Sequence, residues 1–287
     1  MLAKNIFSAF KFIKKSPIQK QLATFSSRDS QKNSWNTSAN LTTNHALSKN
    51  IGLNQFLTKV YSTTGFSLLG ALGTSYAVLS IPALTAVMMP LSLGGAVATL
   101  VGLISTSFMK TTIISERQQI NGESVEILKS VNGPLRKAMY TMGVIGLGLG
   151  AAPLFAYASM ISPTIVPTCL GLTAAIFGGA SLAAYSMPKD SMLKYGRVLG
   201  GSLLGLIGLQ LIGLASTFII GPNPYTLVLF KASNYISVAL FTAMIAYDTH
   251  ASIAMYEAGQ PDHLGMATQF ILDFWNILTS LLRIFSD

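Results

Sequence analysis

The sequence predicts an all-α integral membrane protein built as a bundle of seven transmembrane helices, on three observations. Charged residues make up only 10% of the chain, against about 25% in a soluble protein. Apolar residues make up 51% before the 25 glycines are counted. Whole stretches carry no charge, the first running from Tyr61 to Met109.

That first stretch is too long for one helix, because a ~30 Å hydrocarbon layer takes about 20 residues to cross. Pro82 divides it into a helix from about Phe56 to Ile81 and a second from about Ala83 to Phe108, with Pro90 as a kink site. A loop carrying Arg117, Lys129, Arg136 and Lys137 follows. The charge-free run from Ala138 to Pro188 supplies helices three and four, with Pro163 and Pro167 in the turn between them. After Lys189, Lys194 and Arg197, the segment from Val198 to Phe230 holds helix five and then the breaker Gly221, Pro222, Asn223, Pro224. Ala232 to Tyr256 and Leu264 to Phe285 are the last two spans, each with one acid inside it. Asp273 and Arg283 make the last helix a poor lipid-facing span, so it is expected to pack centrally.

The formal charge of +9 suggests nucleic acid until it is located. Residues 1 to 60 hold nine basic side chains and one acid, Asp29, while the other 227 residues are almost balanced. The excess belongs to a leader and not to a binding face, and nucleic acid is set aside. In that leader Leu2, Ile6, Phe10 and Ile13 recur at helical spacing, with Lys4, Lys11 and Lys15 on another face. Residues 1–25 therefore read as a mitochondrial targeting segment and residues 26–52 as a polar arm or linker, ahead of a membrane domain at 53–287. A basic helix lying on anionic lipid is the other reading. Basic residues near the span ends put the leader and the two Lys/Arg-rich loops on one side, the matrix side if the leader is a presequence. Cys169 has no partner cysteine.

Gly146 with Gly150, and Gly201 with Gly205, have the four-residue spacing that lets helix backbones touch, and are read as packing positions. The acids of the last two spans are different, since a carboxylate in the hydrocarbon costs roughly 2.5 to 3.5 kcal/mol on insertion scales. Gln269, Asp273, Asn276, Ser280 and Arg283 form one stripe along the last helix. Asn234, Ser237, Asp248 and Ser252 lie on one side of the helix before it, with His250 beside the acid. If Asp248 and Asp273 meet, both cannot be ionised cheaply, so they share a proton. Losing it would repel the helices and expose oxygens suited to a hard cation such as Ca²⁺. The competing reading pairs each acid with a basic residue or a helix end, Lys110 and Arg283 being the candidates.

The run Ala246, Tyr247, Asp248, Thr249, His250, together with Leu272, Asp273, Phe274, Asn276, Ile277, Leu281, Leu282 and Arg283, resembles the transmembrane Bax-inhibitor-motif family. The residues from Phe56 to Tyr61, from Leu172 to Phe177, and Lys189 with Asp190 add to the resemblance, which covers about Leu53 onward. It implies a seven-helix Bax-inhibitor fold, a pH-gated cation leak through two aspartates that fall on Asp248 and Asp273, and protection from cell death. With the leader, it implies the inner-membrane branch, linked to Ca²⁺/H⁺ exchange, with lipid such as cardiolipin as neighbour. The chain departs from the family in having His250 where Gln is usual, and Lys110 where a basic partner of the acids is expected.

Two functions stay open: a proton-controlled Ca²⁺ pathway, and a non-transporting accessory subunit of a large membrane complex, for which the polar arm would be the wrapping segment. No cofactor is indicated. An enzyme is not expected, because His45, His250 and His263 have no metal-binding spacing, although paired carboxylates do serve as acid and base in hydrolases.

Overall fold

The computed structural model describes residues 39–120, 123–221 and 223–286. The segment read as a targeting sequence, and the first part of the arm, lie outside them. Helix α1 runs over Ala39–Ser80, α2 over Pro82–Ala86 and α3 over Met88–Phe108. Strands β1 (Thr112–Ile120) and β2 (Glu123–Val131) follow, then α4 (Pro134–Ile161) and α5 (Ile165–Ser186). A 3₁₀ turn at Leu193–Tyr195 leads into α6 (Gly196–Ile220), α7 (Pro224–Glu257) and α8 (His263–Phe285).

Proline sets most of these boundaries. Pro82, Pro134 and Pro224 each open a helix, where the missing N–H would have no partner in any case. Pro90 cannot continue a helix through residue 86, because its ring clashes with that carbonyl. The second predicted helix accordingly breaks at Val87, whose N–H turns back to Leu84. Pro163 lies in the α4–α5 turn, whereas Pro167 falls inside the first turn of α5. At α7 a capping box replaces the lost donors: Asn223 accepts from the Thr226 N–H at 3.0 Å, and the Asn223 N–H donates to Thr226 Oγ1 at 3.2 Å.

Two expectations need correction. Helix α1 begins at Ala39 and not near Phe56, so residues 39–52 of the supposed arm are helical. The chain is mostly helical and not all-α, because the segment around Arg117 and Lys129 is an antiparallel hairpin in which Thr112 faces Val131 and Ile120 faces Glu123. Lys129 reaches diagonally to Glu116 at 2.5 Å, and this ammonium holds the exposed Glu116 carboxyl below the usual carboxylate range. Seven helices of 21 or more residues are present among the described residues. By length and apolar composition five of them can cross a membrane: α3, α4, α5, α6 and α7.

The two that fail this measure, α1 and α8, carry polar residues for the interior. Helix α8 packs against α1, α3, α4, α5 and α7, and Phe270, Ile271, Ile277, Leu278 and Leu282 on it are fully buried. The last helix is central, as expected. Helix α6 lies outermost and exposes Ile212, Phe218 and Ile219, which is what a lipid-facing helix requires. Charged groups gather at one end of the bundle, where Lys189 meets Glu257 at 2.5 Å and Arg136 meets Asp262 at 2.5 Å. The opposite turns, at Ile81 and at Ser162–Thr164, are uncharged.

The glycine pairs divide in the same way. Helices α3 and α4 touch through Gly95, Gly102, Gly143 and Gly146; a Cβ on Gly102 would sit 2.5 Å from the Met139 carbonyl oxygen and 2.6 Å from the Gly143 nitrogen. Gly150 is less tight, 3.6 Å from Ala96, while Gly201 and Gly205 meet nothing within 4 Å. The spacing that marks contact in α4 marks open surface in α6. Gly102→Ala should therefore destabilise the protein by about 1–3 kcal/mol, since backbone cannot yield, and Gly205→Ala by less than about 0.5 kcal/mol. Thermal midpoints of the two variants in one detergent will separate them.

Candidate functional site

Asp248 on α7 and Asp273 on α8 meet inside the bundle, 4% and 2% exposed. Their carboxyl groups share a hydrogen bond, which requires a proton on at least one of them. Asp273 Oδ2 has no other partner among the described residues. Beside Asp248, the Thr249 hydroxyl is bonded to Tyr61 Oη at 3.2 Å. The Tyr61 ring lies 5.1 Å from Phe270, and Phe177 packs edge-on against Phe270 and Phe274 at 5.6 and 5.9 Å. An aromatic layer from α1, α5 and α8 thus borders the acids and keeps their surroundings poorly polarisable. Further along the same seam Ser280 donates to Ser237 at 2.9 Å, which ties α8 to α7 a second time.

The rest of the predicted site is distributed differently. The stripe on α8 is continuous in azimuth, but its ends, Gln269 and Arg283, are exposed; Asn276 is half-buried and turns its amide to the Leu272 carbonyl at 2.7 Å. Arg283 is not a buried partner of either acid. Lys110 is also exposed, at the end of α3, and makes no ion pair among the described residues. His250 is buried with Nε2 unpartnered, but two residues along a helix is a rotation of about 200°. It faces away from Asp248 and is not part of the pair. Among the described residues no three His, Cys, Asp or Glu side chains gather to hold a metal. A cation at this site would be cargo, not a resident ion.

A second polar cluster was missed by the sequence reading, which placed Arg136 in a loop. Arg136 is 2% exposed, in the first turn of α4. Its guanidinium grips Asp262 with both nitrogens, at 2.8 and 2.5 Å, and donates through Nε to the Thr106 carbonyl of α3 at 3.1 Å. It also bonds Asn132 Oδ1. Asp262 in turn caps α8 by accepting from the Gly265 N–H at 3.1 Å. Next to it His263 lies between Ser130 and Asn132. The Asn132 amide nitrogen can only donate, so Nε2 accepts, and a neutral ring then carries its proton on Nδ1 toward Ser130 Oγ. The available signal was Asp262 two residues before the last apolar run, an N-cap position.

These buried acids and the two helices carrying them sit in the stretch that matches known proteins. Residues 53–287 match the sequence model of a family described as inhibitor of apoptosis-promoting Bax1. The chain belongs to that family. It is 27% identical over 137 residues to Bax inhibitor 1 of Homo sapiens, a stretch covering 48% of this chain and 54% of that protein. Probable Bax inhibitor 1 of Paralichthys olivaceus is 29% identical over 138 residues, with the same coverage of 48% and 54%. An uncharacterized protein of Caulobacter vibrioides is 27% identical over 248 residues, which covers 83% of this chain and 91% of that one. The chain thus spans about half the length of the Bax inhibitor 1 proteins it matches. Members of the family are non-enzymatic, multi-pass membrane proteins.

Because Arg136 is buried and forked onto Asp262, Arg136→Met should cost about 3 kcal/mol by stranding the carboxylate. The thermal midpoint of the purified variant, against that of the parent, measures it.

Proposed function

We propose that this family member is a proton-controlled pathway for Ca²⁺ or a similar hard cation, with Asp248 and Asp273 as both proton sensor and cation contact. The observation that carries the reading is the meeting of two buried carboxyl groups through one shared hydrogen bond, with an oxygen of Asp273 left over. While the proton is held, the bond closes α7 on α8. When it leaves, two negative charges face each other in a poorly polarisable setting, and their repulsion favours parting of the helices. The parted carboxylates then offer oxygens of the kind that Ca²⁺ takes. Opening exposes the pair, and protonation closes it again.

In liposomes holding the purified protein, Ca²⁺ flux should rise with pH, by no more than about tenfold per unit for a one-proton gate. Asp248→Asn and Asp273→Asn should each flatten that profile, because an amide cannot lose the proton. Flux that keeps its pH profile in both variants sinks the mechanism.

The compartment is a separate part of the proposal. We place the protein in the mitochondrial inner membrane with its N-terminus in the matrix, on the basic amphipathic pattern of residues 1–25 and the clustering of basic groups at one end of the bundle. Fusing residues 1–38 to a soluble reporter should deliver it to the matrix, read by protease protection in isolated organelles. A reporter left in the cytosol or bound only to outer surfaces removes this assignment without touching the gate.

A further inference from the structure

We infer that β2 and the residues after it form a strap across the turn between α7 and α8, with Arg136 and Asp262 as positioning residues that set how closely Asp248 meets Asp273. The last clause rests on the gate proposed above; the strap itself does not.

Five residues, 258 to 262, separate the two acid-bearing helices, and the chain from Leu128 to Arg136 is bonded on both sides of them. On the α7 side the Tyr256 hydroxyl reaches the Leu128 backbone, and the Tyr256 ring packs on Phe56 of α1 at 5.5 Å. On the α8 side Ser130 and Asn132 hold His263, while Arg136 holds Asp262. Ser130, Asn132, Arg136 and His263 are all buried, so water does not compete for these bonds. Arg136 is itself anchored on the Thr106 carbonyl of α3. The hinge is therefore referred to α3 and α4, the pair of helices in closest backbone contact.

The link from strap to gate is geometric. Eleven residues separate Asp262 from Asp273, which in an α-helix is three turns plus about 20° of rotation, over about 16 Å. The capped end of α8 and its buried acid therefore share one azimuth. A shift of the N-cap toward or away from α7 carries Asp273 the same way, because α8 is packed on several sides and moves as a rod. Strand β1, by contrast, is exposed from Thr112 to Arg117 and touches the helices mainly through β2.

Ser130→Ala removes one hydroxyl, and Arg136→Lys keeps the charge while losing the fork. In the full chain, in nanodiscs, amide exchange over residues 263–268 should rise roughly threefold to tenfold in each, the size of one lost buried hydrogen bond. Residues 144–155 of α4 should be unchanged, which shows that the variants are folded. Ca²⁺ flux should rise by a similar factor, and the effect should vanish when Asp273→Asn is added. Exchange that rises only within 112–131, or not at all, overturns the strap. Flux that ignores the strap, or responds equally without the Asp273 carboxyl, overturns the coupling. Faster exchange in α8 in a protein that carries no Ca²⁺ at any pH would leave the strap standing and remove the transport reading.

Discussion

Two carboxyl groups pressed together where water is scarce have one inexpensive arrangement, with a proton between them. Much of the architecture follows from housing that pair. The helix that carries Asp273 cannot face lipid, so it takes the centre of the bundle, and its remaining faces become the core: Phe270, Ile271, Ile277, Leu278 and Leu282 are fully buried. The neighbours supply aromatic rings where they border the acids and hydroxyls where polar atoms need partners. Tyr61 does both, through its ring on Phe270 and its hydroxyl on Thr249.

In water the most apolar helix is the one inside; in a bilayer the rule loosens, because lipid tails are as apolar as any core. Helix α6 is apolar and peripheral, and its glycines at 201 and 205 face open space. Helix α8 is less apolar and lies inside, while α1 turns Val60, Thr64, Ala71 and Ser75 inward and exposes Phe66 and Tyr76. Hydropathy then tracks lipid exposure more than burial, which is why it passes over the central α8.

The same reasoning explains what could be read from the sequence. The proline boundaries were legible because proline acts locally, on its own N–H and on the carbonyl four residues back. The central position of α8 was legible because burying a carboxylate is expensive in any fold. The hairpin was not, since the charges at Glu116, Arg117 and Lys129 look like those of a loop, although the Asn121–Gly122 dipeptide between two Ile- and Val-bearing runs is a recognised hairpin signal. Arg136 with Asp262 was out of reach because 126 positions separate them and nothing local demands that either have a partner. The α3–α4 glycine contact was half legible. Spacing identifies helices able to approach closely, but only the packing decides whether a given glycine faces a neighbour, as Gly146 does, or the surroundings, as Gly205 does.

The seam between α7 and α8 is fastened at two levels, and a third fastening fixes the start of α8. At the charged end, Arg136 of α4 grips Asp262 at 2.8 and 2.5 Å and so ties the start of α8 to α4. Toward the other end Ser280 and Ser237 share a neutral hydrogen bond at 2.9 Å, which no proton transfer disturbs. Between them lies the carboxyl pair, whose bond exists only while a proton is present. Of the three fastenings, only the middle one needs a proton shared between two acids. On the gate proposed above, loss of that proton acts at mid-seam, and because α8 moves as a rod the load passes to the fastenings at both ends.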